Sequence, residues 1–167
     1  MLINRDFIFP VYIYEKVLEV VKDICNKSNF ELFGYLVGNV LEWKEKKYVI
    51  ITDQLYNENA VDSHQYFTSQ VNGTAGNFDT VLKGIRELRN DNDLGILGWW
   101  HSHPNFGCFL STTDVHTQRF FFPESYQVAL IVDPIRKEYM FFTLDDSSKE
   151  GYKEISHAII SPKLTKK

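Results

Sequence analysis

Cysteine is scarce in this chain of 167 residues: there are 2, Cys25 and Cys108, and they form no CxxC pair. A disulfide framework is therefore not expected, and a reducing cytoplasm is the simplest setting. No stretch approaches the roughly 18 apolar residues that a membrane-spanning helix needs. The opening MLINRDFIFP carries acidic and aromatic residues where a signal peptide would carry a long apolar run, so neither secretion nor a membrane role is expected. Positive charge is also in short supply, with 18 Lys and Arg against 22 Asp and Glu and a net charge of −4. Nucleic-acid binding draws on a concentrated basic surface and is not expected here. The one basic cluster, Lys163, Lys166 and Lys167, reads as a frayed tail.

What the chain does have is enough apolar material, 44% of its residues, to fold as one domain without staples. Aromatic residues make up 15% of it, fitting either a dense core or a peptide-gripping groove. After a short strand near Phe7 to Phe9, Pro10 opens an expected helix to about Asn26, with Ile13, Val17, Val20, Ile24 and Cys25 on its buried face. A strand pair follows at Leu32 to Val40 and Tyr48 to Thr52. Residues 55–77 are irregular apart from one candidate strand at Gln65 to Ser69. A long loop of this kind inside a compact domain usually serves function. A helix over Phe78 to Asn90 is expected to bury Phe78, Val81, Leu82, Ile85 and Leu88. Then come a strand at Leu94 to His103, a helix beginning at Ser111, and strands at Gln127 to Val132 and Glu138 to Leu144 turned by Asp133-Pro134. The order implies a mixed α/β domain with helices packed on a central sheet.

Chemistry concentrates in GWWHSHPNFGCFLSTTD, residues 98–114. Alternate strand residues share a face, so His101 and His103 project together while Ser102 points the other way. Pro104 ends the strand, and after seven residues the loop reaches Ser111, with Asp114 on the first turn of the next helix. Two imidazoles and a carboxylate converging in this way can form a three-ligand zinc site that leaves a fourth position open. Each piece alone has a plainer reading. An isolated HxH is a weak signal, and STTD by itself is a capping box. His116 lies about 200° around the helix from Asp114 and is expected on the surface or behind the site. His64 and His157 are read as incidental. Glu31, at the start of ELFGYLVG, would on its own be a solvated strand end.

Taken together, E-x-x-G-x-L-x-G, then H-S-H-P, then S-x-x-D resembles the JAMM signature of the MPN (JAB) metalloprotease family. The match covers Glu31, Gly34, Leu36, Gly38, His101, His103, Pro104, Ser111 and Asp114. Phe106-Gly107-Cys108, Thr117-Gln118 and Val132-Asp133-Pro134 are similar to the wording of its proteasome-lid deubiquitinase and signalosome deneddylase members. The resemblance runs from about residue 5 to 145 and leaves 146–167 as a short C-terminal extension of a single domain over 1–167. It implies an α/β (mixed α+β), cytidine-deaminase-like fold with a curved, mostly antiparallel sheet flanked by helices.

The resemblance also implies a zinc-dependent isopeptidase acting on ubiquitin or a ubiquitin-like protein and its conjugates. In that reading His101, His103 and Asp114 hold Zn²⁺, Glu31 moves the proton and Ser111 donates to the oxyanion. Trp100, Phe106, Cys108 and Phe109 are the candidate lining of the substrate groove. Residues of about 57–76 correspond to a family insertion expected to order over the substrate tail, whereas Ile135 to Tyr139 leaves only a short turn where some relatives carry a second insertion. A compact prokaryotic member, with E1-like and E2-like operon partners or an antiphage role, is the expected context. Cys108 is not expected to be a nucleophile, because the histidines near it are committed to metal. Two other readings use the same chain: a peptidase that matures a ubiquitin-like or sulfur-carrier precursor, and a non-catalytic MPN scaffold.

Overall fold

The computed structural model describes residues 7–58 and 78–161. Within them, β1 (Val11–Tyr14) leads directly into α1 (Glu15–Asn26), and β2 (Phe33–Trp43) and β3 (Lys46–Tyr56) form a long hairpin. Next come α2 (Phe78–Arg89), β4 (Gly95–Ser102), α3 (Thr112–Phe121), β5 (Val128–Asp133) and β6 (Glu138–Leu144). Two short strands, β7 (Tyr152–Ile155) and β8 (His157–Ile160), complete the order. All eight strands belong to one sheet, ordered β7-β6-β5-β4-β2-β3-β1-β8. Four neighbouring pairs are antiparallel and three parallel. Because β7 and β8 sit at opposite edges with a single residue between them, the sheet must curl until its edges meet.

The mixed, mostly antiparallel fold agrees with expectation, and four local readings do not. Pro10 does not open a helix: Val11–Tyr14 pairs in parallel with both β3 and β8, and α1 starts at Glu15. The alternation of buried Val11 and Ile13 with half-buried Tyr12 and Tyr14 is a strand's period of two, which a helical count had absorbed. Residues 146–167, expected as an extension beyond the core, supply β7 and β8. His157 is in that edge strand, its ring against Phe141 and its Nε2 3.1 Å from the Tyr139 hydroxyl. On α2, Leu82 is buried, but Val81 and Leu88 are 46% and 79% exposed. Both stand about 100–120° around the helix from Leu82, outside the narrow stripe that meets Val37 and Leu94. The segment near Phe7 to Phe9 forms no strand. The candidate strand at Gln65 to Ser69, His64 and most of the 57–76 loop lie outside the described residues.

The sheet carries a separate core on each face. On one face α1 buries Val17, Leu18, Val21 and Cys25 against Ile13, Leu36, Ile51, Trp100 and Leu130. On the other, α3 and its flanks cover Phe33, Tyr35, Trp99, Ile131 and Phe142. Two glycines permit this close packing. A Cβ at Gly34 would stand 2.6 Å from the Trp100 indole nitrogen. Gly98 has φ +142°, and a Cβ there would meet the Val128 carbonyl oxygen at 1.8 Å. Gly98 therefore lets β4 lie against β5 at the point where the β2–β4 register shifts by a bulge. Gly98→Ala is expected to lower stability by about 2–4 kcal/mol, read as a shifted urea midpoint at unchanged slope.

Candidate metal centre

β2 and β4 run antiparallel with Phe33 opposite His101, so Glu31 lies just beyond the start of β2, beside the end of β4. The imidazoles of His101 and His103 meet edge to face with centroids 4.8 Å apart. Each ring turns Nδ1 outward to a backbone carbonyl, His101 to Leu32 at 3.0 Å and His103 to Gly107 at 3.1 Å. A carbonyl only accepts, so each Nδ1 carries a proton, and in the neutral ring each Nε2 presents a lone pair. This arrangement of an outer partner fixing the ring is the usual support of a metal-binding histidine.

The two Nε2 atoms face a shared carboxylate. Asp114 Oδ1 is 3.5 Å from His101 Nε2 and Oδ2 is 3.3 Å from His103 Nε2. Donors held about 2.0–2.1 Å from a tetrahedral ion stand about 3.3 Å from one another, so the spacing matches a common ion. A second carboxylate, Glu31, comes within 3.8 Å of His101 Nε2, and Glu31, His101 and His103 form a group with donor atoms all within 4.8 Å. Asp114 is buried while the Glu31 side chain is 55% exposed. The donor chemistry, imidazole plus carboxylate, suits a borderline divalent ion such as zinc.

Helix α3 sets Asp114 through a capping box. Ser111 is the N-cap; its Oγ accepts from the Asp114 N–H at 3.1 Å, and its own N–H donates to Asp114 Oδ2 at 2.8 Å. The cap and the placement of the carboxylate beside the imidazoles are thus one feature. Burial pushes the Asp114 carboxyl up, but the His103 hydrogen bond, the His101 charge and Ser111 outweigh it and hold it below the usual range. Burial holds His101 below its ordinary value despite Asp114. For His103 burial again lowers, yet the bond and charge of Asp114 win and the value rises. Burial thus favours the neutral form of His101, while Asp114 favours the protonated form of His103, and a bound cation would compete with that proton.

Around this centre the described residues place the expected groove lining unevenly. Phe109 is 40% exposed with its ring 5.0 Å from that of His103, and Phe106 is 63% exposed on the loop. Cys108 is half-buried, its thiol pushed up to about 11 by burial, and its Sγ lies 3.6 Å from the Ile131 carbonyl; it packs the loop. Trp100 offers no surface: it is fully buried on the α1 face, where its indole N–H donates to Gln54 Oε1 at 3.2 Å. Strand alternation puts it opposite His101, so its neighbour in sequence is not its neighbour in space. His116 is exposed, as expected. A cavity of about 860 Å³ opens beside Glu31, lined by Ile24, Lys27, Phe30, Leu32 and Tyr56.

Three supporting residues had no assigned role in the sequence. Trp99 stacks on the His101 ring at 5.3 Å and on Phe122 at 6.2 Å, and its indole N–H donates to Gln118 Oε1 at 2.7 Å. Gln118 is held in turn by the Phe122 and Gln127 carbonyls, which accept from its Nε2. Asp133, fully buried, accepts from the N–H groups of Asn105, Gly107, Ile135 and Arg136 at 2.8–3.0 Å. It fixes Gly107, whose carbonyl holds His103. Period-two alternation from His101 identifies Trp99 as a same-face neighbour, and a carboxylate at a turn is the signal for Asp133.

The family profile described as "JAB1/Mov34/MPN/PAD-1 ubiquitin protease" matches residues 10–124. The chain belongs to that family. This JAB-family chain is 28% identical over 163 residues to COP9 signalosome complex subunit 5 of Saccharomyces cerevisiae, covering 83% of the chain and 35% of the relative. With the same subunit of Neurospora crassa it shares 30% over 123 residues, 72% of the chain and 34% of the relative. The S. cerevisiae ubiquitin carboxyl-terminal hydrolase RPN11 is 53% identical over a shorter stretch of 45 residues, 26% of the chain and 15% of the relative. The chain thus spans about a third of the length of its signalosome relatives. The solution structure of a Desulfitobacterium hafniense protein shares the fold, with a TM-score of 0.58 at 19% identity over 90% of this chain and 93% of that one.

Asp133 also yields a pH-dependent expectation. Burial pushes its carboxyl up, but the N–H groups of Arg136, Asn105, Gly107 and Ile135 together hold it below the ordinary value. A depressed folded value means that its contribution is complete above the unfolded carboxyl value of about 4 and is lost as pH falls through the folded value. Asp133→Asn is expected to destabilise by about 2 kcal/mol at pH 7, with the gap from wild type closing below about pH 4 in urea titrations.

Proposed function

We propose that the chain is a zinc-dependent isopeptidase that hydrolyses the bond between the C-terminal glycine of a ubiquitin-like protein and a lysine amine. The observation that carries this is the convergence of two Nε2 lone pairs and the Asp114 carboxylate at 3.3 and 3.5 Å, with a second, exposed carboxylate within 3.8 Å. His101, His103 and Asp114 are assigned to the metal because they are buried and the Asp114 oxygens approach both Nε2 atoms more closely than Glu31 approaches that of His101. A zinc ion held there would supply Lewis acidity and make water nucleophilic near neutral pH.

The remaining steps belong to side chains. Glu31, exposed at the rim, takes the proton from the attacking water and returns it to the departing lysine amine, which leaves poorly as an anion. The Ser111 oxygen already accepts from Asp114 N–H, so its hydroxyl proton can turn toward the developing oxyanion, a contribution of about 3 kcal/mol for a donor of this kind. Phe106 and Phe109 flank the approach and, with the cavity beside Glu31, are assigned to the extended tail of the modifier. Backbone hydrogen bonding of such a tail accounts for affinity without a deep pocket. The short turn after Asp133, which reaches β6 by Glu138, leaves little surface there for reading a second modifier.

Purified protein is expected to carry one zinc per chain by elemental analysis and to cleave a ubiquitin-type lysine conjugate. Glu31→Gln should keep the zinc and lose at least about 10²-fold in kcat, whereas His101→Ala should lose both. Zinc-free protein with full activity, or His101→Ala indistinguishable from wild type, would overturn the assignment. Preference for a linear precursor over the lysine conjugate would place the enzyme in maturation instead.

A further inference from the structure

Ser102 sits between the two histidines in sequence but faces away from them, fully buried on the α1 side of the sheet. At this point β4 parts from β2. In a regular antiparallel pair, opposed residues exchange both backbone hydrogen bonds. Ser102 N–H does donate to the Leu32 carbonyl at 2.8 Å. The return bond differs: Leu32 N–H donates to the Ser102 hydroxyl oxygen at 2.7 Å, across 70 residues of sequence. That N–H belongs to the peptide joining Glu31 to Leu32. The same side chain neighbours the buried Cys25 near the end of α1. The residues before Leu32 are more exposed: Phe30 is 81% exposed, with its N–H on the Ser28 hydroxyl, and the Glu31 side chain is 55% exposed.

We propose that Ser102 is the positioning residue for Glu31: its hydroxyl replaces a backbone acceptor at the end of the ladder and fixes the Glu31–Leu32 peptide, so that the carboxylate stands beside the histidines. This rests on Glu31 as the proton carrier. Deleting the hydroxyl leaves Ser102 N–H on the Leu32 carbonyl, and that carbonyl is also the partner of His101 Nδ1. The metal-facing imidazoles therefore keep their support while the base loses its own. The effect is selective for proton transfer, which falls steeply with misplacement of the base.

The test compares Ser102→Thr with Ser102→Val in the zinc-loaded full chain. Both add the same volume, so their difference isolates the oxygen. Thr is expected to stay within about threefold of wild type, and Val to lose about 10- to 100-fold in kcat with KM and zinc content unchanged. In a Glu31→Gln background the Thr and Val variants should differ by less than about twofold, because the group being positioned is gone. Hydrogen exchange should quicken at the Leu32 amide in Val alone, with the rest of β2 and β4 unchanged. Equal rates for Thr and Val, loss of zinc in Val, or the same Thr-to-Val ratio in both backgrounds would each overturn the role. If Glu31→Gln cleaves like wild type, the assignment of Glu31 itself falls; if Glu31→Gln is inactive and Val is fully active, only the Ser102 role falls.

Discussion

The antiparallel pairing of β2 with β4 is the contact on which the centre depends. With Phe33 opposite His101, the residue before β2 and the residues after β4 arrive at the same end of the sheet. Ladder register brings Glu31, His101 and His103 to that end, and a one-residue slip would turn both imidazoles to the α1 face. Parallel pairing of β4 with β5 then delivers Asp133 to that end, where it gathers the N–H groups of the loop behind His103. The glycines at positions 34 and 98 belong to the same constraint, because side chains there would hold the strands apart.

Two imidazoles and a carboxylate buried together are unfavourable unless their polar atoms have partners. The outward-facing atoms do. The Nδ1 atoms reach carbonyls, Asp114 is held by the cap at Ser111, and the Trp99–Gln118 pair fixes the plane against which His101 stacks. Side chains this constrained lose little further freedom when an ion binds, which is how a protein favours one coordination geometry. A metal held there would couple its binding to folding, since the site does not persist in an unfolded chain. Glu31 stands apart in being exposed, as suits the proton carrier proposed for it.

Much of this was legible from the chain itself. Histidines two apart in a strand must share a face, and S-x-x-D before a helix must cap it; both are local rules and both hold. The long strands and α1 follow from local pattern as well. The short edge strands do not. Val11–Tyr14, Tyr152–Ile155 and His157–Ile160 have 4 residues each, too few for periodicity to declare itself, and become strands only by pairing with distant partners. The flank of α2 was misjudged for a related reason: how wide a stripe a helix buries depends on what it packs against.

The sequence alone determined the donor types, their faces and the cap that holds Asp114, because these depend on covalent spacing and on the periods of strand and helix. Only the tertiary structure decided which carboxylate lies closest to both imidazoles, that Trp100 is sealed in the core while Trp99 backs His101, and that Ser102 reaches the Glu31–Leu32 peptide. Those outcomes rest on register between segments about 70 residues apart. Strand spacing says which way a side chain points, and pairing says what it meets.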